Sequence, residues 1–230
     1  MIWYVAFAQD DEVDHSGGKY FRDQVLFQEL SGQPCLVVRY KDTTLELAER
    51  LQPRAIVMGG FGRSFETFGK EALLRIEALV KATAVPILGI CGSHQLNAMF
   101  YNYDLRRMRR FKDEPMGKLR PGEPELQAAY HPGYRKEAGF YEVRIVKPDP
   151  LFAGFKSSGT FCESHYCEVK KLPRGFGLLA STEACRIQAD RHPTKPLYGV
   201  QFHPEAYVGA YPDGRKLLAN FFRKIARTHR

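Results

Sequence analysis

The sequence predicts an α/β fold with a mostly parallel central sheet, helices on both faces and a small antiparallel flap. Three observations predict it. Short unbroken apolar runs at 2–8, 35–40, 55–58 and 85–90 alternate with segments of helical period. Strands that are apolar on both sides belong to parallel sheets covered on both faces. From Tyr141 the pattern changes to period two, as in antiparallel strands with one wet face.

Each element has its own reason. Residues 2–8 read as a first strand, which soon meets Asp10-Asp11-Glu12 and carries no basic leader, so a signal peptide is not expected. Phe21, Val25, Leu26 and Leu30 recur at helical spacing over 20–30. Residues 35–40 form a second strand, and 43–51 a short helix with Thr43 or Thr44 as N-cap. Residues 55–58 are a third strand, closed by Gly59-Gly60. Leu73, Leu74, Ile76, Leu79 and Val80 place a helix over 66–82. A fourth strand at 85–90 runs into Cys91 and a helix reaching about Tyr103. Residues 112–136, rich in Pro and Gly, form a long surface excursion. Strands follow at 141–146 and near 161–170, 177–181 and 187–190. An apolar strand returns at 197–202, and an amphipathic helix over 213–226 ends the pattern. Neither an internal repeat nor a linker interrupts the chain, so residues 1–230 read as a single domain.

Bulk properties narrow the function. A hydrophobic content of 44% suffices for a proper core, and no apolar run approaches the roughly 20 residues a membrane helix needs. Five cysteines without a CxxC pair fit neither a disulfide framework nor a zinc site, so no metal or other cofactor is expected and a reducing cytoplasm fits best. The net charge of +8 is partly concentrated in the 106–112 run. Such a run can hold nucleic acid, an acidic partner or phosphate, or be a solvated helix end. The acidic residues spread through the rest of the chain argue against a dedicated nucleic-acid binder. Ser16-Gly17-Gly18-Lys19 lacks the first glycine of a phosphate-binding loop, and Tyr20 follows the lysine.

Two distant segments carry chemistry. Gly89-Ile90-Cys91-Gly92-Ser93-His94-Gln95 places a cysteine between small residues where a strand turns into a helix. A bend there exposes a nucleophile at the carboxyl edge of the sheet, and the helix N-terminus favours a thiolate and an oxyanion. Gly59-Gly60 is the best candidate for a second group of amide donors. Gly199-Val200-Gln201-Phe202-His203-Pro204-Glu205 supplies a base and a carboxylate to orient it. Pro204 favours extended backbone at His203, which would point His203 and Glu205 the same way.

These segments resemble the class I, triad-type glutamine amidotransferases, which have a flavodoxin-like core. Residues 86–95 resemble that family's nucleophile elbow, 198–205 its His-Glu segment, and Val57-Met58-Gly59-Gly60 its oxyanion strand and loop. Weaker matches follow in order at 137–140, 149–154, 164–169 and 172–176, so the likeness spans nearly the whole chain. It is strongest toward stand-alone members related to the amidotransferase domain of GMP synthetase. The resemblance implies that Cys91 attacks the side-chain amide of L-glutamine, that His203 moves the proton, that Glu205 orients His203, and that amides of Gly60 and Gly92 hold the oxyanion. It also implies substrate contacts from Gly59, Gln95, Ser164 and His165. Two positions depart from the family pattern. Gly92-Ser93 stands where a larger residue and then glycine are usual, and Phe61 where proline usually follows the two glycines. The implied ammonia needs an acceptor enzyme, and this chain leaves no room for one, so a separate partner synthetase is expected. An uncoupled hydrolase of γ-glutamyl amides or peptides, and a catalytically weak binding protein of the same fold, are the alternatives.

Overall fold

The computed structural model describes residues 1–227. Among them, nine strands form one sheet in the order β2-β1-β3-β4-β9-β8-β7-β5-β6. The strands are β1 (Ile2–Ala6), β2 (Cys35–Arg39), β3 (Ala55–Met58), β4 (Ile87–Ile90), β5 (Glu137–Ile145), β6 (Ser158–His165), β7 (Gly177–Ser181), β8 (Ala189–Arg191) and β9 (Leu197–Val200). Strands β2, β1, β3, β4 and β9 pair in parallel. The remaining four continue the same sheet with antiparallel pairing, so the expected flap is an extension of the sheet beyond β9.

Every residue of β1, β3, β4 and β9 is buried. Their alternate residues feed two cores. Ile2, Tyr4, Val57, Leu88 and Val200 pack against α1 (Val13–Ser31) and α5 (Asp213–Asn220). Trp3, Val5, Ile56, Met58 and Ile87 pack on the other face against α3 (Lys70–Ala82) and α4 (Gly92–Asn102), with Ala48 of α2 (Leu45–Leu51). This division follows from the two-residue period of a strand covered on both sides.

Some boundaries differ from the sequence expectation. Helix α1 begins at Val13, ahead of the apolar pattern that starts near Tyr20. The helix expected from Glu66 is broken: a 3-10 turn, Phe65–Thr67, precedes Gly69, and α3 starts at Lys70. Thr44 is the N-cap of α2 and accepts from the Leu47 amide, whereas Thr43 donates its hydroxyl to the Arg39 carbonyl. The C-terminal helix becomes a π turn at Phe221–Ile225. The 112–136 excursion contains no named strand or helix and is tied to the body by bridges such as Pro115 to Cys167.

Candidate active site

The carboxyl ends of β3, β4 and β9 meet at one point. The register Gly89↔Gly199 and Ile90↔Val200 brings the residues after β4 beside those after β9. Cys91 then donates its backbone N–H to the Val200 carbonyl at 2.7 Å. Its backbone lies at φ 51, ψ −111, in the positive-φ region a side chain rarely adopts. Such a conformation persists where packing enforces it. Here the packing comes from glycines. A Cβ on Gly89 would lie 2.6 Å from the Asn97 amide, and one on Gly199 would lie 2.3 Å from the His94 ring. Helix α4 therefore sits directly on the sheet with its first turn behind Cys91.

His203 is fixed from the other side. Its N–H donates to the Cys162 carbonyl of β6 at 2.8 Å. Pro204–Ala206 form a 3-10 turn, so the backbone after His203 is not extended as expected. The two side chains meet all the same, with His203 Nδ1 2.7 Å from Glu205 Oε1. Helix α5 supports this turn, because a Cβ on Gly214 would lie 2.3 Å from the Pro204 carbonyl.

Cys91, His203 and Glu205 are thus brought together with Gly60, whereas Gly59 does not face the cavity as expected: its N–H donates to the Val5 carbonyl at 3.0 Å, and a Cβ on it would lie 2.9 Å from the Tyr4 ring. A Cβ on Gly60 would lie 2.7 Å from His203 Cε1 and 3.2 Å from Cys91 Cβ, so glycine is required where this loop crosses the site. Gly92 opens α4, where amides lack acceptors within the helix.

The electrostatics favour an ion pair. Burial alone would raise the Cys91 thiol, but the charge and hydrogen bond of His203 outweigh it and hold the thiol below its ordinary value. Burial would lower His203, yet the Glu205 charge and the Cys91 sulfur hold it well above its ordinary value. Burial likewise opposes a charged Glu205, and His203 overcomes it. The arrangement can supply a nucleophilic thiolate and a proton donor near neutral pH.

The cleft at Cys91 is lined by Phe61, Gly92, Gln95, Ser164, His165 and Tyr166, among others. Gln95 and Ser164, expected to contact substrate, both line it. The His165 ring is occupied elsewhere: Nδ1 lies 2.9 Å from the Cys167 carbonyl, and Nε2 lies 2.9 Å from Glu137 and 3.2 Å from Glu163. Burial opposes its charge, but the two carboxylates raise it to about 10. The His165 ring is therefore engaged by two carboxylates and a carbonyl, which favour its charged form.

Three features escaped the sequence. The Phe61 ring lies where a side chain at position 92 would go: a Cβ on Gly92 would be 2.8 Å from two of its atoms. Ser93 donates its hydroxyl to the Gly59 carbonyl at 2.6 Å, tying the elbow to the glycine loop. Tyr166 donates to the Gly62 carbonyl and stacks on Tyr130 of the excursion. Gln201, whose amide ends 3.6 Å from the Cys91 sulfur, did carry a signal, since it stands two residues before His203 on a chain leaving a strand.

The class-I glutamine amidotransferase family model matches residues 24–225. The chain belongs to that family. The amidotransferase is 38% identical over 166 residues to one of the subunits of the glutamine-hydrolysing GMP synthase of Archaeoglobus fulgidus, covering 72% of this chain and 73% of that protein. It is 33% identical over 192 residues to the glutamine-hydrolysing GMP synthase of Clostridium novyi, covering 84% of this chain but 31% of that longer protein. The crystal structure of a Thermoplasma acidophilum protein, described as a GMP synthase subunit, shares the fold, with a TM-score of 0.71 and 23% identity over 99% of this chain and 94% of that one. Among the described residues, no helix is long and apolar enough to cross a membrane.

Proposed function

We propose that this amidotransferase releases ammonia from the side-chain amide of L-glutamine through Cys91, His203 and Glu205. The observation that carries the proposal is the strained Cys91 backbone beside an imidazole whose other nitrogen is held by Glu205 at 2.7 Å. The Cys91 thiolate adds to the amide carbon, and the oxyanion is held by amides of Gly60 and Gly92. The C–N bond then breaks as His203 gives its proton to the departing nitrogen. Water, deprotonated by His203, attacks the γ-glutamyl thioester, and glutamate leaves with the thiolate restored. Gln95 and the Ser164-His165 backbone line the place of the substrate.

The ammonia goes to a separate synthetase. Supporting this, the Archaeoglobus relative is by name only part of a synthase, and the Clostridium relative extends far beyond the region this chain matches.

The test is glutamate release from L-glutamine by the wild type and by Cys91→Ala, alone and with candidate synthetases. Release that vanishes with Cys91 supports the proposal. Release from γ-glutamyl peptides but not from glutamine moves it to the hydrolase alternative, and no Cys91-dependent release from either overturns it.

A further inference from the structure

Gln201 is fully buried at the foot of the site, and its amide ends 3.6 Å from the Cys91 sulfur. Which end of that amide faces the sulfur is set by a chain of hydrogen bonds that begins at the main chain. The Cys167 carbonyl can only accept. A terminal atom of the Gln95 amide lies 2.9 Å from it, so that atom is the NH2 nitrogen. The same nitrogen lies 3.1 Å from one end of the Gln201 amide, which must then be the oxygen. The remaining end of Gln201 is its NH2, and it is this end that meets the sulfur. His165 Nδ1, at 2.9 Å from the same carbonyl, donates to it as well.

An N–H aimed at sulfur stabilises the thiolate relative to the thiol. Among the polar groups around the sulfur, the Ser164 carbonyl, 4.0 Å away, accepts only from the thiol form. We propose that Gln201 is a further catalytic residue whose amide N–H donates to the Cys91 sulfur and holds it as thiolate, and that Gln95 is a positioning residue that fixes the direction of the Gln201 amide. Gln95 thereby joins the substrate cavity to the nucleophile: one nitrogen ties it to Cys167 and Gln201, while the side chain lines the cavity. The part that Gln201 plays in turnover rests on the glutaminase proposal; its effect on the thiol does not.

The test is the pH profile of Cys91 alkylation by iodoacetamide, read by mass spectrometry of the Cys91 peptide. Wild type, Gln201→Leu, Gln201→Glu and Gln95→Leu are compared, with glutamate release measured in parallel. Gln201→Leu removes the donor and should raise the midpoint by about one pH unit, the effect of one hydrogen bond to a charged group. Gln201→Glu keeps size and shape but sets a carboxylate against the sulfur, and should raise it further. Gln95→Leu frees the amide to turn and should give a smaller rise. Coincident profiles for wild type and folded Gln201→Leu overturn the proposal. If the leucine variant does not fold, an unchanged midpoint in the isosteric Gln201→Glu overturns it instead. A shifted midpoint in a protein that releases no glutamate from glutamine leaves the thiol inference standing and removes the glutaminase proposal.

Discussion

Replacing Gly92 by alanine should expose a coupling between two positions that the sequence presents as unrelated departures. A Cβ at 92 would lie 2.8, 2.8 and 2.9 Å from three atoms of the Phe61 ring, inside van der Waals contact. The ring cannot simply swing away. It packs on Phe7, Phe65 and Phe68 with centroids 4.8, 5.5 and 4.7 Å apart. Aromatic pairs contribute about 0.5–1.5 kcal/mol each, so losing them would cost roughly 1.5–4.5 kcal/mol. Local overpacking costs about 1–3 kcal/mol, and that smaller response should prevail. In a Phe61→Ala background the clash is absent. There Gly92→Ala should be neutral, or stabilising by up to about 1 kcal/mol from helix propensity, because position 92 lies in the first turn of α4. The assay is urea unfolding of wild type, both single variants and the double variant. A coupling energy of about 1–4 kcal/mol is expected, with Gly92→Ala costly only when Phe61 is present. Additive effects within about 0.5 kcal/mol would refute the packing argument.

Two further outcomes follow from the charges. Glu205→Gln removes the group that keeps His203 protonated, so Cys91 should need a higher pH to ionise; the alkylation midpoint should rise and glutamine turnover at neutral pH should fall roughly 100-fold or more, and an unchanged midpoint would show that Glu205 does not govern the pair. His165 is raised from its ordinary 6.5 to about 10, so its pairing with Glu137 and Glu163 contributes stability that is complete below about 6.5 and lost as pH rises toward 10. The unfolding free-energy gap between wild type and His165→Gln should therefore narrow over that window, and a gap constant with pH would refute a charged His165.

The parallel half of the fold was legible because β1, β3, β4 and β9 are apolar on both sides, a pattern that surface segments do not imitate. Helix starts were less legible. The first turns of α1 carry Asp14, Gly17, Gly18 and Lys19, which leave no apolar period, and tertiary context rather than propensity extends the helix. The break before α3 was hidden because Phe65 and Phe68 face the core from a 3-10 turn and a coil, where they continue the apolar pattern. At the site, Cys91, His203 and Glu205 were legible as residue types with suitable spacing. The turn that joins His203 to Glu205 was not, since Pro204 suits both extended backbone and the first position of a helix. The cluster of Glu137, Glu163 and His165 was out of reach, because β5–β6 pairing brings together residues 28 apart in sequence.

The two departures from the family pattern illustrate why a site is better judged by contacts than by letters. Taken singly, a glycine after the nucleophile loosens the elbow, and a phenylalanine after two glycines crowds the oxyanion loop. In three dimensions the crowding fills the looseness: the Phe61 ring occupies the space above Gly92 and is braced by three other rings. Ser93, out of place by the same pattern, donates to the Gly59 carbonyl and pulls the glycine loop onto α4. Tyr166 holds the far end of that loop through Gly62. The loop that would supply one oxyanion amide and the helix that would supply the other are thus joined at Phe61 and at Ser93, while Tyr166 ties the far end of the loop to the chain after β6. Two departures that each weaken the site on paper become one packing unit that would hold the proposed donors at a fixed spacing, on which oxyanion stabilisation depends.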